Sequence, residues 1–391
     1  MAGTVGGWAR ALELSASWGG RLALTELLGE AIRHAENGVV VSTSQSALTR
    51  QKLAGLKASP GFADTYLVNG QPPDPGHVLK QPRLACTLQR LAQSGLDDFD
   101  RGELAHSMAD DLTRVGSPLR FEDLAQYQAR WVKPLEVRLS DSTVYNLPPT
   151  QGLSALMIMG LFDQLGVSAG EGFAHVHGLV EATKRAFRIR DRVVTDPSRL
   201  SVDPQSLLSQ ASIATLATDI DRHRAMPWPD PSQAGDTIWM GVIDAQGRAV
   251  SFIQSVYWEF GSGTVLNDSG VCWQNRGTSF SLDPRALNYL QPGLKPFHTL
   301  NPSMAVFDDG RVMPFGTMGG EGQPQTQAAV FTRYARFGQS LQQAISAPRW
   351  LLGRTWGEES TTLKLENRFP ASLVNALKDA GHVIDVLAEG Y

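Results

Sequence analysis

A threonine at the start of a predicted strand is the residue in this chain whose surroundings best suit chemistry. Thr237 opens a run of alternating side chains, 238–243, that turns at residues 244–247 and returns as 248–254. Ser255 follows the returning strand, eighteen residues after Thr237. Since such a pattern predicts a β-hairpin, we expect two hydroxyl side chains side by side at one of its ends.

A threonine hydroxyl needs a base before it can act as a nucleophile. No Ser-His-Asp arrangement suggests itself in the sequence, but a threonine that is an amino terminus supplies its own amine, which titrates near about pH 8. This requires a cut between Asp236 and Thr237. The preceding residues 227–235 are rich in proline and glycine and predict an exposed, flexible loop. The competing interpretation is a simple turn before a β-branched residue.

A glycine pair later in the chain offers backbone N–H groups to such a site. Gly319 and Gly320 lie in the run 316–322, between a predicted hairpin and a predicted helix. The run lacks the Gly-Lys-Ser/Thr ending of a phosphate loop. Glycines allow N–H groups to approach a developing oxyanion, and each such donor contributes about 3 kcal/mol to acyl transfer. The three features together predict an acyl-transfer site.

From Trp8 to the C-terminus the sequence resembles the γ-glutamyltranspeptidase family of N-terminal-nucleophile hydrolases. The resemblance is carried by residues 236–244, 260–263, 295–303 and 318–320, with 146–152 and 177–182 upstream. In that family a proenzyme cuts itself before the threonine, and both fragments stay together. The resemblance implies that Thr237 is nucleophile and base, that Ser255 supports its hydroxyl, and that Gly319 and Gly320 form the oxyanion hole. It implies no metal or organic cofactor.

Several substrate-contacting positions depart from family members that bind a γ-glutamyl group. Tyr257 stands in place of an amide side chain, Ser279 in place of an aspartate that pairs with the substrate ammonium, and Arg276 in place of a neutral amide. Such a pocket favours an anion without an amino group, because the planar fork of arginine suits a carboxylate. The alternative for Arg276 is a structural role at a loop or between the fragments.

By resemblance, His298, Thr299 and Asn301 line the acyl pocket, although the same residues also suit a turn before proline. His175 and His177 have a spacing seen in metal ligands. Without a carboxylate or cysteine at matching spacing, we expect them on a helix face and predict no metal site.

A narrower branch of the family is similar in four runs, 235–244, 273–277, 297–302 and 348–357. Its members hydrolyse oxamate to oxalate and ammonia in bacterial purine catabolism. Oxamate has a carboxylate and a primary amide but no amino group, which agrees with Arg276 and Ser279. We therefore expect a self-processing amidohydrolase acting on oxamate or another small carboxylate-bearing amide. A γ-glutamyl hydrolase or transferase acting on glutathione and an uncleaved, non-catalytic relative are the alternatives.

Composition limits the other classes of function. Of the 391 residues 42% are hydrophobic and 19% charged, which predicts a large core. A net charge of -4 without a basic cluster excludes nucleic acid as the expected partner. Cys86 and Cys272 make neither a disulfide framework nor a cysteine-rich zinc site. No apolar run suits a membrane span and no export signal opens the chain, so the expected location is the cytoplasm, away from membranes.

Periodicity predicts long helices before residue 230 and strands after Thr237. The predicted helices are 22–35, 82–93, 102–115, 152–165, 172–192, 324–337, 339–346 and 370–381, and the predicted strands are 132–139, 142–146, 238–243, 248–254, 264–266, 271–273, 303–307 and 311–315. Glu181, Lys184 and Arg188 have the spacing of surface ion pairs. This order predicts an α+β fold, a four-layer αββα sandwich.

The predicted cut divides the chain into a mainly helical large fragment, 1–236, and a small fragment, 237–391, that together form one folded unit. Members of the family usually extend further at both ends, so we expect the sandwich to be incomplete. The oligomeric state stays open, with a homodimer as one candidate.

Overall fold

The structure is a computed structural model that describes residues 2–228, 236–353 and 360–388. Residues 229–235 of the predicted loop 227–235 and residues 354–357 of the run 348–357 lie outside the described residues. The helices are α1 Thr4–Ser17, α2 Leu24–Leu27, α3 Gly29–Asn37, α4 Thr43–Leu56, α5 Phe62–Tyr66, α6 Pro82–Ser94, α7 Asp98–Arg101, α8 Glu103–Arg114, α9 Phe121–Ala125, α10 Gly152–Gln164, α11 Phe173–Val193, α12 Gln210–Thr218, α13 Gln323–Phe331, α14 Leu341–Ser346 and α15 Ala371–Asp379. The strands are β1 Val39–Val40, β2 Val78–Leu79, β3 Leu135–Arg138, β4 Ser142–Asn146, β5 Asp236–Ile243, β6 Ala249–Tyr257, β7 Ser303–Phe307, β8 Val312–Phe315, β9 Trp350–Leu352, β10 Leu363–Glu366 and β11 Ile384–Leu387.

The first of two compact units comprises Met1–Trp131 and Trp258–Asn275 and is mostly helical. In α8 the buried residues Leu104, Met108 and Leu112 recur at every fourth position, so one face of this helix covers the core of the unit. The returning segment is held by hydrogen bonds such as that from Thr87 Oγ1 to the carbonyl of Ser269, at 2.7 Å.

The second unit, Val132–Tyr257 with Arg276–Tyr391, combines helices and sheets. Its largest sheet is antiparallel, in the order β3-β4-β7-β8, with Val144 opposite Ala305. Every residue of α10 from 152 to 162 is buried, because α11, α12, α13 and the sheet surround this helix. The mostly apolar sequence of residues 152–162, with Ser154 as the exception, suits that position.

Two smaller sheets complete this unit. Strands β5 and β6 form an antiparallel hairpin, and β9, β10 and β11 form a sheet in the order β11-β10-β9. The indole of Trp239 on β5 contacts Gly316, just after β8, so the hairpin lies against the end of the largest sheet. The mixture of helices with mainly antiparallel sheets, in which only β10 and β11 among the described strands pair in parallel, confirms the predicted α+β class.

Several predicted boundaries need correction. The predicted helix 22–35 is two helices, α2 and α3, because the helix is interrupted at Leu28. The predicted strands 264–266 and 271–273 make only one bridge, between Val265 and Cys272. The predicted helix 324–337 is α13 followed by a π-helical turn, Thr332–Arg336.

The prediction of a solvated face from the spacing of the charged residues on α11 is also wrong. The carboxylate of Glu181 and the ammonium of Lys184 form an ion pair of 2.7 Å whose side chains are 0% and 3% exposed. The predicted surface pair is therefore a buried one. Among the described residues, no helix combines the length and apolar character that a bilayer crossing demands.

Candidate active site

A β-bulge lies at the predicted nucleophile. The pairing of β5 with β6 is regular along most of the hairpin, then the register shifts, and Asp236 lies opposite Tyr257. Between these positions, Thr237 alone on β5 faces two residues of β6, Ser255 and Val256. A bulge bends its strand and changes the direction of the neighbouring side chains, and bulges are frequent beside active sites. The structure thus brings Thr237 and Ser255 to the same irregular point of the hairpin.

The end of β6 adopts an unusual backbone conformation. Tyr257 has a φ of 84°, in the left-handed region that residues other than glycine rarely enter. The hydroxyl of Ser255 accepts a hydrogen bond from the N–H of Tyr257 at 2.8 Å, which fixes this conformation. Backbone strain of this kind amounts to about 1–3 kcal/mol and persists where the surrounding structure enforces it.

Arg276 begins a short 3-10 turn, Arg276–Ser279, and is buried. Its Cζ lies 3.6 Å from the centroid of the Tyr257 ring. Its Nη2 donates to the hydroxyl of Thr299 at 2.9 Å, and its Nη1 donates to that of Ser279 at 3.4 Å. Three predicted substrate-binding residues therefore surround one guanidinium.

Burial lowers the pKa of Arg276 to about 10, although Tyr257 and Glu321 act in the opposite direction. At neutral pH the guanidinium still carries its charge. A cation that is buried and remains charged is a suitable partner for an anionic ligand.

His298 and Thr299 form the adjacent segment. The Nδ1 atom of His298 accepts a hydrogen bond from the N–H of Leu300 at 3.2 Å, which leaves the ring proton on Nε2. Burial, together with the charges of Arg276 and Lys295, holds the pKa of His298 well below its usual value. The imidazole is therefore neutral at neutral pH. The turn hydrogen bond that the sequence suggested is present beside the predicted pocket.

Gly319 and Gly320 have φ angles of 106° and 48°, both in the left-handed region that favours glycine. The carbonyl of Gly319 accepts from the N–H of Gly322 at 2.8 Å. Glu321, the next residue, forms a buried ion pair of 2.7 Å with Arg190 of α11. The glycine loop is thereby attached to a long buried helix.

Asn301 is fully buried beside α13. Its backbone carbonyl accepts from Nε2 of Gln327 at 2.8 Å, and its side-chain Oδ1 accepts from the same amide. Its Nδ2 has no hydrogen-bond partner within the described part of the chain. The structure places Asn301 next to the pocket segment, in a network of buried amides.

Gln151, which sequence reasoning did not single out, joins two of these segments. It immediately precedes α10 and is fully buried. Its Nε2 donates to the carbonyl of Thr299 at 2.7 Å and to that of Gly320 at 2.6 Å. Its backbone N–H donates to the carbonyl of His298 at 3.0 Å. The run 146–152 carried the family resemblance, but no pattern in it shows a partner so distant in the sequence.

The two histidines of α11 face the interior of the unit. Nδ1 of His175 accepts from the N–H of Glu171 at 3.0 Å, so its Nε2 donates to Oγ1 of Thr332 at 2.9 Å. Nδ1 of His177 lies 2.9 Å from Nε2 of His382, and Glu181 completes a group whose ligand atoms all lie within 4.8 Å of one another. The expectation that no carboxylate accompanies these histidines is therefore wrong.

This group is nevertheless a poor metal centre on physical grounds. The carboxylate of Glu181 already accepts from Lys184 at 2.7 Å and from Arg185 at 3.0 Å. Two neighbouring cations oppose the binding of a dication. Nε2 of His177 donates to the carbonyl of Asp221 at 2.9 Å, so its Nδ1 accepts from Nε2 of His382 and both histidines are already engaged.

A serine in a Gly-x-Ser-x-Gly pattern, Ser168 in residues 166–170, lies elsewhere in this unit. The nucleophile elbow of that pattern requires a turn from a strand into a helix. Here the pattern occupies the exposed connection between α10 and α11, so the geometry does not support it.

Comparisons with known proteins agree with this fold. The family model described as Gamma-glutamyltranspeptidase matches residues 1–390. The "Oxamate amidohydrolase proenzyme" of Klebsiella pneumoniae subsp. pneumoniae is 51% identical over 391 residues, which are 100% of this chain and 74% of the relative. The "Glutathione hydrolase-like YwrD proenzyme" of Bacillus subtilis is 39% identical over 373 residues, or 95% of this chain and 71% of the relative.

Among solved structures, that of a cephalosporin acylase from Bacillus halodurans superimposes with a TM-score of 0.89 at 34% identity, covering 98% of this chain and 71% of that one. Fold and relatives define the chain as an α+β enzyme, an N-terminal-nucleophile amidohydrolase. The chain belongs to the gamma-glutamyltranspeptidase family.

Proposed function

We propose that this enzyme processes itself and then hydrolyses a small amide that bears a carboxylate, with oxamate as the first candidate. One observation carries the proposal. Asp236 lies opposite Tyr257 in the hairpin, and the ring of Tyr257 lies 3.6 Å from Cζ of the buried Arg276. The residue paired with the predicted cleavage point therefore contacts a buried cation through its ring.

In the processing step, Oγ1 of Thr237 attacks the carbonyl carbon of Asp236, and the peptide C–N bond breaks. The amine of Thr237 takes up a proton as it leaves. Water then hydrolyses the resulting ester, which frees the hydroxyl and leaves Thr237 as an amino terminus. Its amine then serves as the base.

In turnover, Oγ1 of Thr237 attacks the substrate carbonyl and gives its proton to the amine of the same residue. Backbone N–H groups of Gly319 and Gly320 stabilise the oxyanion. The C–N bond breaks, and the leaving nitrogen takes the proton and departs as ammonia. Water hydrolyses the acyl ester, so that oxamate yields oxalate, and Ser255 supports the hydroxyl of Thr237 throughout.

The proposed carboxylate site consists of Arg276 with Tyr257, Ser279 and Thr299, near His298 and Asn301. The neutral state of His298 agrees with this role, because a protonated imidazole beside Arg276 would add a second buried charge. The name of the relative from Klebsiella pneumoniae supports oxamate as the substrate. No metal or other cofactor takes part in these steps.

The two fragments are proposed to remain one folded unit after the cut. Strand β4 of fragment 1–236 pairs with β7 of fragment 237–391 from Ser142–Phe307 to Tyr145–Met304. Helix α10 of the first fragment also packs against α13 of the second. Separation would expose both contacts to water, which the hydrophobic effect opposes.

A γ-glutamyl substrate is the second candidate, since the relative from Bacillus subtilis is named as glutathione hydrolase-like. Such a substrate needs a carboxylate for its ammonium group. Glu321 is the carboxylate that acts electrostatically on Arg276, and it is engaged by Arg190 at 2.7 Å. The geometry therefore favours the substrate without an amino group.

The test is an intact-mass measurement followed by an assay of ammonia release. We expect fragments 1–236 and 237–391 from the wild type, a single uncut chain from Thr237→Ala, and ammonia from oxamate only after the cut. Ammonia is measured beside release of aniline from a γ-glutamyl anilide. A cleaved alanine variant would contradict the role of Thr237, and turnover of the anilide alone would contradict the substrate.

A further inference from the structure

The side chain of Gln151 connects the proposed carboxylate site with the proposed oxyanion hole. Its amide nitrogen has two protons, one donated to the carbonyl of Thr299 at 2.7 Å and the other to that of Gly320 at 2.6 Å. The hydroxyl of the same Thr299 accepts from Arg276 at 2.9 Å. One buried amide therefore fixes the guanidinium side and the glycine side of the site relative to each other.

The glycine loop needs such a restraint. Gly319 and Gly320 have no side chains and sit at φ angles that glycine enters and leaves at little cost. A hydrogen bond to the carbonyl of Gly320 limits rotation of the peptide group that follows it and keeps the loop in one conformation. Oxyanion donors act through preorganisation, and a displacement of about 1 Å can reduce a rate about 100-fold.

The side-chain oxygen of Gln151 indicates that this residue is present for its N–H donors. Oε1 of Gln151 is buried and has no hydrogen-bond partner among the described residues. A buried polar atom in this state is unfavourable by about 1–3 kcal/mol. A purely apolar side chain would avoid that loss, but it would lose both donated hydrogen bonds.

We propose that Gln151 is a positioning residue for the amide hydrolysis: it sets the distance between the carboxylate-binding Arg276 and the oxyanion-binding glycine loop. The proposal rests on the proposed function. Gln151 contacts no reacting atom, so it acts through Thr299 and Gly320. Its removal affects the transition state, where both ends of the substrate must be held at once, more than substrate binding.

A matched control separates positioning from ordinary stabilisation. Gln325 of α13 is also a buried glutamine, with Nε2 donating to the carbonyl of Leu352 at 3.1 Å and Oε1 accepting from its N–H at 2.8 Å. It fixes β9 and neither of the two loops. Gln151→Met and Gln325→Met remove the same kind of buried amide, so both are expected to lower the thermal midpoint.

The measurement is kcat and KM for ammonia release from oxamate on the cleaved fraction of each variant. For Gln151→Met we expect kcat to fall about 100-fold while KM changes less than about threefold. For Gln325→Met, kcat stays within about threefold of the wild type. Equal kcat values for the two variants, or a change confined to KM, would overturn the positioning role.

The pH profile of Gln151→Glu is a second test, because a merely structural role of Gln151 would not change it in the direction described next. The ionised carboxylate has no proton to donate to the two carbonyls, whereas the protonated acid donates one. The ratio of variant to wild-type kcat should therefore rise as the pH falls. The other titratable or charged groups around this position, namely the Thr237 amine, His298, Glu321 and Arg276, are present in both proteins, so the ratio reports the change at residue 151. A ratio that is flat or falls with falling pH counts against the proposal.

The outcomes also separate this proposal from the proposed function. If the wild type turns over the γ-glutamyl anilide in place of oxamate, the substrate is wrong and the same kcat comparison is made with the anilide. If the cleaved wild type turns over neither amide, the proposed function fails, and the role of Gln151 fails with it. An active wild type with an unaffected Gln151→Met rejects the role of Gln151 alone.

Discussion

Arg276 keeps a positive charge in a buried position. Its contacts there include the ring of Tyr257 and the hydroxyls of Ser279 and Thr299. Taking a charge out of water is unfavourable by several kcal/mol unless nearby groups compensate. An anionic ligand supplies such compensation directly. The lowered pKa of this arginine has the same origin as its proposed use, since burial both weakens the charged state and strengthens its attraction to a carboxylate.

Arg276→Lys tests whether the shape of the cation matters as well as its charge. Lysine keeps the charge but loses the planar fork and the stacking on Tyr257. We expect kcat/KM for oxamate to fall about 100-fold, mainly through KM, because a bidentate contact with the substrate carboxylate is lost. Ammonia release at varied oxamate concentration measures both parameters.

The matched control is Arg285→Lys. Arg285 is 89% exposed and pairs with Asp283 at 2.8 Å, so this variant should behave as the wild type. Unchanged kinetics of Arg276→Lys would show that the guanidinium is structural, which is the alternative that the sequence left open.

At the scale of elements, the glycine loop depends on its attachment to α11 through Arg190 and Glu321. Both side chains are almost fully buried, and the guanidinium of Arg190 also lies 4.0 Å from the ring centroid of Phe187. Glu321→Gln removes one charge and leaves the other buried. We expect a loss of about 3 kcal/mol in the free energy of unfolding, measured by urea denaturation.

The exposed pair between Arg138 and Asp308, at 2.6 Å, provides the comparison. Asp308→Asn should lower the free energy of unfolding by less than about 1 kcal/mol. In Glu321→Gln, Arg190 still pairs with the half-exposed Asp191 at 2.6 Å. Adding Arg190→Met to Glu321→Gln should restore part of the lost stability, since the buried guanidinium that has lost its buried partner is then removed. If Glu321→Gln and Asp308→Asn lowered the free energy of unfolding equally, the buried pair would contribute no more to stability than the exposed one.

The elements that sequence patterns predict well are those with strong periodicity. Strand β7 has the predicted bounds, and α10 ends within one residue of its prediction, because alternation and a continuous apolar run are local signals. The bulge at Thr237 depends on a shift of one residue between two strands, which alternation does not show. Spacing equally fails to distinguish a buried ion pair such as Glu181–Lys184 from a solvated one.

The candidate site shows the same limit. Its residues Thr237, Arg276 and Gly320 stand out by type and by family resemblance, but their connections do not. Gln151 reaches partners 148 and 169 residues away, and a glutamine before a buried helix has no distinguishing pattern. Long-range hydrogen bonds depend on the packed fold, so only the structure reveals them.

At the scale of the whole molecule, buried neutral histidines link stability to pH. Burial lowers the pKa of His175 to about 4 and that of His382 to about 3, and it lowers the pKa of His177 as well. In the unfolded chain a histidine titrates near about pH 6.5. Between these values the unfolded state binds more protons than the folded state, so acid favours unfolding.

We therefore expect the thermal midpoint to be nearly constant above about pH 7 and to fall steadily between about pH 6.5 and 5. Over that range each of these histidines lowers the free energy of unfolding by up to about 1.4 kcal/mol per pH unit. Asp100, whose pKa burial raises to about 6, opposes part of this trend, because its folded form binds the extra proton. The sum still favours loss of stability in acid.

His382→Gln, which removes one titrating group, should have a flatter profile than the wild type, whereas His77→Gln, at an exposed position, should keep the wild-type slope. A thermal midpoint that rises or stays constant from pH 6.5 to 5 would contradict the burial of neutral imidazoles in the core around α11.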